Sequence, residues 1–227
     1  MSKLRGMWAL AIYDPGKKEL ILSRDHFGIK PLYYVIKNSV LYFSSEVKAL
    51  KKIAGSFGPN TEKYFQFFNL GYFIGEDTCY RQVKKVLPGE ILTWDLERHN
   101  LRKEFLPLSI SDTQEGMNFE EAVTLMERTI EDSVEKHFIA DVPVGLLLSG
   151  GADSSLLAAI SQKMGRKPVC YHMAIPGSID TEYARKVAKY LDFDLVETDF
   201  MAEALTQEYE AMGAWLDQPS SDISLLP

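Results

Sequence analysis

Residues 144–160 read VGLLLSGGADSSLLAAI. An apolar run too short for a helix meets Ser-Gly-Gly, then an acid, two serines and a second apolar run. That order constrains the backbone to a strand, a tight turn and a helix. The segment 144–148 reads as a strand buried on both faces, and a helix is expected over 153–164. Paired glycines let the chain bend sharply and let a ligand approach with no Cβ in the way. A helix N-terminus adds free N–H groups and a partial positive charge, so the turn reads as a cradle for phosphate. The hydroxyls of Ser149, Ser154 and Ser155 add donors. Asp153 would repel phosphate unless it holds a divalent cation, and Mg²⁺ bridging the phosphate oxygens resolves the conflict. The plainer reading is a Gly-Gly turn with a helix cap. Seven specified positions, SGGADSS, in one strand–turn–helix context favour the ligand site. The loop lacks the GxxxxGKS/T pattern, so it is not a Walker phosphate loop.

The rest of the chain has two textures. Up to about residue 106 it is β-rich. Residues 7–13 (MWALAIY) are apolar on both faces, as in an internal strand, and 19–24 (ELILSR) form a second strand. Segments 32–36 and 40–43 flank Lys37-Asn38-Ser39 as a hairpin, and 91–95 with 101–105 flank a second. A short helix is expected over 45–53, and another capped by Asn60. Residues 107–118 (PLSISDTQEGMN) are polar and read as a linker. Beyond it Phe119, Val123, Met126, Ile130, Val134 and Phe138 recur at helical spacing. Strands at 144–148, 169–175 and 195–198 then alternate with helices, one capped by Asp180 with a stripe of Tyr183, Val187 and Leu191, and a last one over 201–215. Alternation at this spacing means parallel βαβ units.

The chain has 227 residues, net charge −7 and no basic run, so nucleic acid is not an expected partner. No apolar stretch approaches a membrane span and no secretory signal is visible. Cys79 and Cys170 have no CxxC partner and read as free buried thiols in a reducing compartment, with cytoplasm as the default. His26, His99, His137 and His172 form no ligand spacing. Arg24-Asp25 reads as an ion pair framing a turn. Tyr64, Phe65, Phe67 and Phe68 read as core or a domain interface.

SGGADSS resembles the SGGxDSS signature of the ATP pyrophosphatases, and ADVPVGLLLSGGADSS (140–155) resembles the synthetase domain of the glutamine-dependent asparagine synthetases. GMWALAIYD, RDHFGIKPLYY, FSSEVKAL and LPGEIL are similar to the later part of that family's glutaminase domain, and LDQPSSDISLLP (216–227) to its LDEP-type segment, with Gln218 at the usual Glu. The resemblance implies an α/β and α+β chain: an incomplete N-terminal-nucleophile-type sandwich over 1–106, a linker over 107–118, and a parallel-sheet ATP-binding domain over 119–227. It implies a site for ATP and Mg²⁺ in which Ser149, Gly150, Gly151, Ser154 and Ser155 hold the phosphates, Asp153 binds the metal, Leu148 contacts adenosine and Ile175 packs on the adenine. The implied reaction turns aspartate into asparagine through an acyl-adenylate, with ammonia drawn from glutamine, and a homodimer is one expected assembly.

The family's amino-terminal Cys and its glutamine-holding segments have no counterpart here, and neither does its second, acidic Gly-rich ATP motif. The expectation is therefore a fragment cut at both ends, with no catalytic residue of its own and inactive alone. Two other readings stay open. One is a relative that amidates or cyclises a different carboxylate, such as a β-lactam synthetase. The other is a non-catalytic nucleotide-binding protein.

Overall fold

The computed structural model describes residues 1, 3–108, 116–199, 213 and 215–220. These fall in two compact units, Met1–Ile110 with Leu205–Pro227, and Ser111–Ala204.

The first unit contains β1 (Ala9–Asp14), β2 (Glu19–Arg24), β3 (Tyr33–Lys37), β4 (Val40–Ser44), α1 (Val47–Ala54), α2 (Tyr64–Leu70), β5 (Lys84–Lys85), β6 (Glu90–Asp95) and β7 (Asn100–Phe105). They build a four-stranded antiparallel sheet, β1-β2-β6-β7, and a three-stranded antiparallel sheet, β4-β3-β5. The turn between β3 and β4 has both central residues, Asn38 and Ser39, at positive φ, the twist that a two-residue hairpin favours. The other two hairpins open on an aspartate: Asp14 accepts from the amides of Gly16 and Lys17, and Asp95 from those of Glu97 and Arg98. Alternation along β3 sends Tyr34 into one core and Val35 into another. The first core joins the two sheets through Leu22, Leu92 and Trp94 on one side and Tyr34 and Leu41 on the other. The second seats α1 on the far face of β3 through Val47, Leu50 and Ala54.

The residues 213 and 215–220 lie against this unit. Glu46 makes no side-chain cap on α1, and Asp217 supplies one, its Oδ1 accepting from the Lys48 amide at 3.0 Å. Lys48 Nζ donates to the Trp215 carbonyl at 3.3 Å, and Gln218 Nε2 donates to the Tyr33 hydroxyl at 3.2 Å.

The second unit contains α3 (Phe119–His137), β8 (Gly145–Leu147), α4 (Ala152–Lys163), β9 (Val169–Ala174), α5 (Ile179–Leu191) and β10 (Leu195–Asp199). Its three strands are parallel, in the order β10-β9-β8. The core gathers Leu148, Ala158, Cys170, Ala184, Ala188, Leu191 and Phe193. Asn118 and Glu121 close a reciprocal capping box at the start of α3. No helix among the described residues is long and apolar enough to cross a membrane. Both cysteines are free and buried.

Several local expectations are corrected. The run at 7–13 is not an internal strand: β1 is the end strand of its sheet, with Ile12 and Tyr13 exposed. The run at 144–148 is not buried on both faces, because among the described residues β8 pairs with β9 alone and Leu147 is 81% exposed. An apolar run records what a strand is able to bury, and both of these lie at sheet edges. Asn60 makes no side-chain cap; its amide donates to the Thr78 carbonyl instead. Asp180 is not the cap of α5: Ser178 is, its hydroxyl accepting from the Asp180 amide. The buried stripe of α5 is Thr181, Ala184, Ala188 and Leu191, and Tyr183 is exposed. On α3 only Val134 of the expected stripe is buried, and Phe119, Val123 and Met126 are exposed. Phe65 and Phe68 are exposed rather than core, while Phe67 stacks on Phe73. The helix expected over 201–215 lies outside the described residues except at 213 and 215.

Arg24 and Asp25 hold a turn through the backbone rather than through each other. Arg24 donates to the carbonyls of Lys30, Val86 and Gly28. Asp25 is 1% exposed, and its carboxylate accepts from the amides of Trp8, Phe27, Ile29 and Lys30. Burial pushes that carboxyl up, but the backbone amides outweigh it and hold the group below the usual carboxylate range. A depressed folded value means a contribution present above the unfolded carboxyl, about 3.9, and lost as pH falls through the folded value. Asp25→Ala orphans buried amides at about 1–3 kcal/mol each. Calorimetry at pH 7 should therefore show a clearly lowered midpoint for the first unit. The gap from the wild-type chain should narrow as pH is taken below 4; a gap constant with pH would contradict the assignment.

Candidate functional site

The site is built where β8 ends and α4 begins. The Leu148 amide donates to the Tyr171 carbonyl at 2.9 Å, which continues the ladder one step past Leu147↔Tyr171. The side chain of Leu148 is 1% exposed and sits in the core. The chain then leaves the sheet through Ser149 and Gly150. Gly150 has φ of +88°, and a Cβ there would lie 2.3 Å from the Asp180 carbonyl oxygen and 2.8 Å from the Ala184 nitrogen. The loop thus lies directly on the first turns of α5, and only glycine fits at 150. Gly151 differs: its added Cβ would meet Ser149 Oγ alone, at 3.5 Å. The open space for a ligand is therefore beside Gly151, and Gly150 is explained by packing.

Gly151 is the N-cap of α4 and has no side chain to satisfy the first-turn amides. Three hydroxyl contacts shape the loop over them. Ser149 Oγ accepts from the Gly151 amide at 3.3 Å and lies 3.0 Å from Ser154 Oγ, and Ser154 Oγ donates to the Gly151 carbonyl at 3.2 Å. Ser155 donates its amide to the Gly151 carbonyl at 3.1 Å, the first bond of the helix. Asp153 is exposed in that first turn. The structure therefore brings Ser149, Gly150, Gly151, Asp153, Ser154 and Ser155 together around one helix start. Among the described residues no group of three or more His, Cys, Asp or Glu could hold a metal. A single carboxylate still suits Mg²⁺, which keeps several waters and takes its other ligands from phosphate. Loop and donor set fit a metal–polyphosphate ligand.

Ile175 follows β9, half-exposed, and lines a cavity of about 280 Å³ at the carboxyl ends of β9 and β10 with Gly177, Ser178, Thr181 and Arg185. Among the described residues, it is the one candidate site residue that does so. Arg185 is engaged by Glu197 at 2.8 Å.

Two further residues touch the site from behind, His172 on β9 and Thr181 on α5, and residue spacing left them unmarked. Cys170, His172 and Ala174 alternate as the buried face of β9. A polar side chain at an inward position of a central strand has to find partners.

A family model described as a glutamine amidotransferase domain matches residues 1–105, and one described as asparagine synthase matches residues 125–227. The chain is 29% identical over 228 residues to glutamine-hydrolyzing asparagine synthetase 1 of Bacillus subtilis, covering 100% of this chain and 36% of that protein. It is 28% identical over 239 residues to putative glutamine-hydrolyzing asparagine synthetase 2 of Methanocaldococcus jannaschii, covering 100% and 45%. It is 30% identical over 206 residues to glutamine-hydrolyzing asparagine synthetase B of Escherichia coli, covering 84% and 32%. The chain thus spans a third to a half of the length of the relatives it matches.

The contrast between the glycines is testable. Gly150→Ala places a methyl against backbone atoms and should cost on the order of 3 kcal/mol. Gly151→Ala should cost no more than about 1 kcal/mol, the price of a poorer cap. All three tryptophans, Trp8, Trp94 and Trp215, lie in the other unit, so the readout is hydrogen exchange of the β9 amides. Equal loss of protection in both variants would contradict the packing argument.

Proposed function

Because the chain belongs to the glutamine-hydrolysing asparagine synthetase family, we propose that it carries the ATP-gripping part of an enzyme that converts aspartate to asparagine with ammonia taken from glutamine. Residues 1–106 are read as part of the glutaminase domain, with an N-terminal-nucleophile-type sandwich, 107–118 as the linker, and 119–227 as part of the ATP-binding domain. Two antiparallel sheets sharing one core support the first assignment, and a parallel sheet with a loop at a strand's carboxyl end supports the last. Cytoplasm is the compartment that suits two free buried thiols.

The observation that carries the reading is the start of α4, whose cap residue has no side chain and whose neighbours are hydroxyls. In this reading the free amides of the first turn, with Ser149, Gly151, Ser154 and Ser155, hold the phosphate oxygens. Gly150 and Leu148 fix the loop's base on α5 and in the core, and Ile175 bounds the adenine side. Asp153 holds Mg²⁺, which when bound neutralises charge on the departing pyrophosphate.

Titration calorimetry tests this directly. The wild-type chain should bind ATP more tightly with Mg²⁺ than with EDTA. Asp153→Asn should erase that difference while leaving β9 amide protection unchanged. Ser155→Ala should weaken binding with or without metal. A metal effect that survives in Asp153→Asn removes Asp153 from the metal site, and no heat with ATP under either condition sinks the nucleotide reading.

A further inference from the structure

The last backbone bond between β8 and β9 is Leu148 N–H to the Tyr171 carbonyl, and beyond it the two chains diverge. His172 carries the connection further with its side chain. The residue is 9% exposed, with Nδ1 2.8 Å from the Leu148 carbonyl oxygen and Nε2 3.0 Å from Thr181 Oγ1. Thr181 is 4% exposed, and its Oγ1 accepts from the Ile175 amide at 3.1 Å. Proton accounting assigns the directions. A carbonyl only accepts, so Nδ1 bears the proton and donates to Leu148. In the neutral ring Nε2 is then an acceptor, and of the two acceptors beside the Thr181 hydroxyl, Nε2 at 3.0 Å and the Ile175 carbonyl oxygen at 3.4 Å, the nearer takes its proton. The hydroxyl's lone pair is left for the Ile175 amide. One unidirectional chain therefore runs from Ile175 N–H through Thr181 and His172 to Leu148 C=O, with every buried polar atom satisfied.

We propose that His172 is a positioning residue of the nucleotide site, tying the carbonyl just before the Ser149-Gly150-Gly151 loop to the Ile175 backbone through Thr181. Packing alone does not call for a histidine, since its inward neighbours on β9 are Cys170 and Ala174. The network reaches both edges of the expected ATP site, the loop after β8 and the residue after β9. It does so through the same turn of α5 on which Gly150 lies. The loop is thus held twice by that turn, by backbone contact at Gly150 and by this relay at Leu148. The inference rests on the nucleotide reading for its purpose and on the hydrogen bonds for its geometry.

The test uses the full chain with His172→Leu, His172→Asn, His172→Gln and Thr181→Val, read by calorimetry with Mg²⁺ and ATP and by amide NMR without nucleotide. His172→Leu and Thr181→Val should each weaken ATP binding at least tenfold and shift the Ile175, Gly150 and Gly151 amide resonances. An asparagine amide nitrogen can take the place of Nδ1, so His172→Asn should recover affinity to within about threefold. His172→Gln, which reaches toward Thr181 and not Leu148, should restore the Ile175 resonance but not the affinity. A role in packing alone predicts no such split, and equal affinities for His172→Leu and His172→Asn would overturn the proposal. If the wild-type chain takes no ATP, the nucleotide reading falls. His172→Leu leaving the loop resonances where they are in the wild-type chain overturns the positioning role independently.

Discussion

The contact on which the site depends is that between Gly150 and the first turns of α5. A loop backbone lies so close to the Asp180 carbonyl and the Ala184 nitrogen that no side chain fits between them. The Tyr183 Cβ also lies close, at 3.1 Å from where a Gly150 Cβ would be, and Ala184 keeps the buried face of the helix small at that turn. With the helix seated, the loop can turn away from the sheet in only one direction. Gly151 then falls at the start of α4, where the amides are uncapped by any side chain. The serine contacts and the exposed Asp153 follow from that placement. Phosphate chemistry at this point is a result of how two helices and a strand end share a small volume.

The alternating strands and helices, the hairpins and the strand–turn–helix at 144–160 were legible because each rests on a short-range rule: a period, a turn residue, an αL position. What was not legible rests on long-range context. MWALAIY and VGLLL look like central strands because their residues could be buried twice, yet β1 and β8 both lie at sheet edges. Asn60 and Asp180 are good cap residues, but the Asn60 side chain bonds Thr78, and Ser178, two residues earlier, caps α5. Of the expected stripe of α5, Leu191 is in the core and Val187 packs against it, but Thr181, Ala184 and Ala188 rather than the larger Tyr183 complete the buried face. Of the candidate site, the loop residues were readable from their types and order. His172 was not, because its role lies in two hydrogen bonds to residues 24 and 9 positions away.

The first unit follows the same logic of backbone satisfaction with a different device. Asp25 places one buried carboxylate where several amides converge, and Arg24 meets the carbonyls of the same turn. The pair joins strand ends that no ladder connects. It resembles the His172 relay in one respect: each uses a polar side chain to continue main-chain pairing after the strands have parted.

Asp217 caps α1 across 169 positions of chain. A ribosome would therefore release α1 long before its capping carboxylate is made, with the whole Ser111–Ala204 unit emerging in between. Until then the Lys48 amide lacks the Asp217 partner it has in the folded unit. Closing so large a loop adds only slowly growing entropy, but it sets an order of events during synthesis: residues 111–204 are all made before the carboxylate that caps α1.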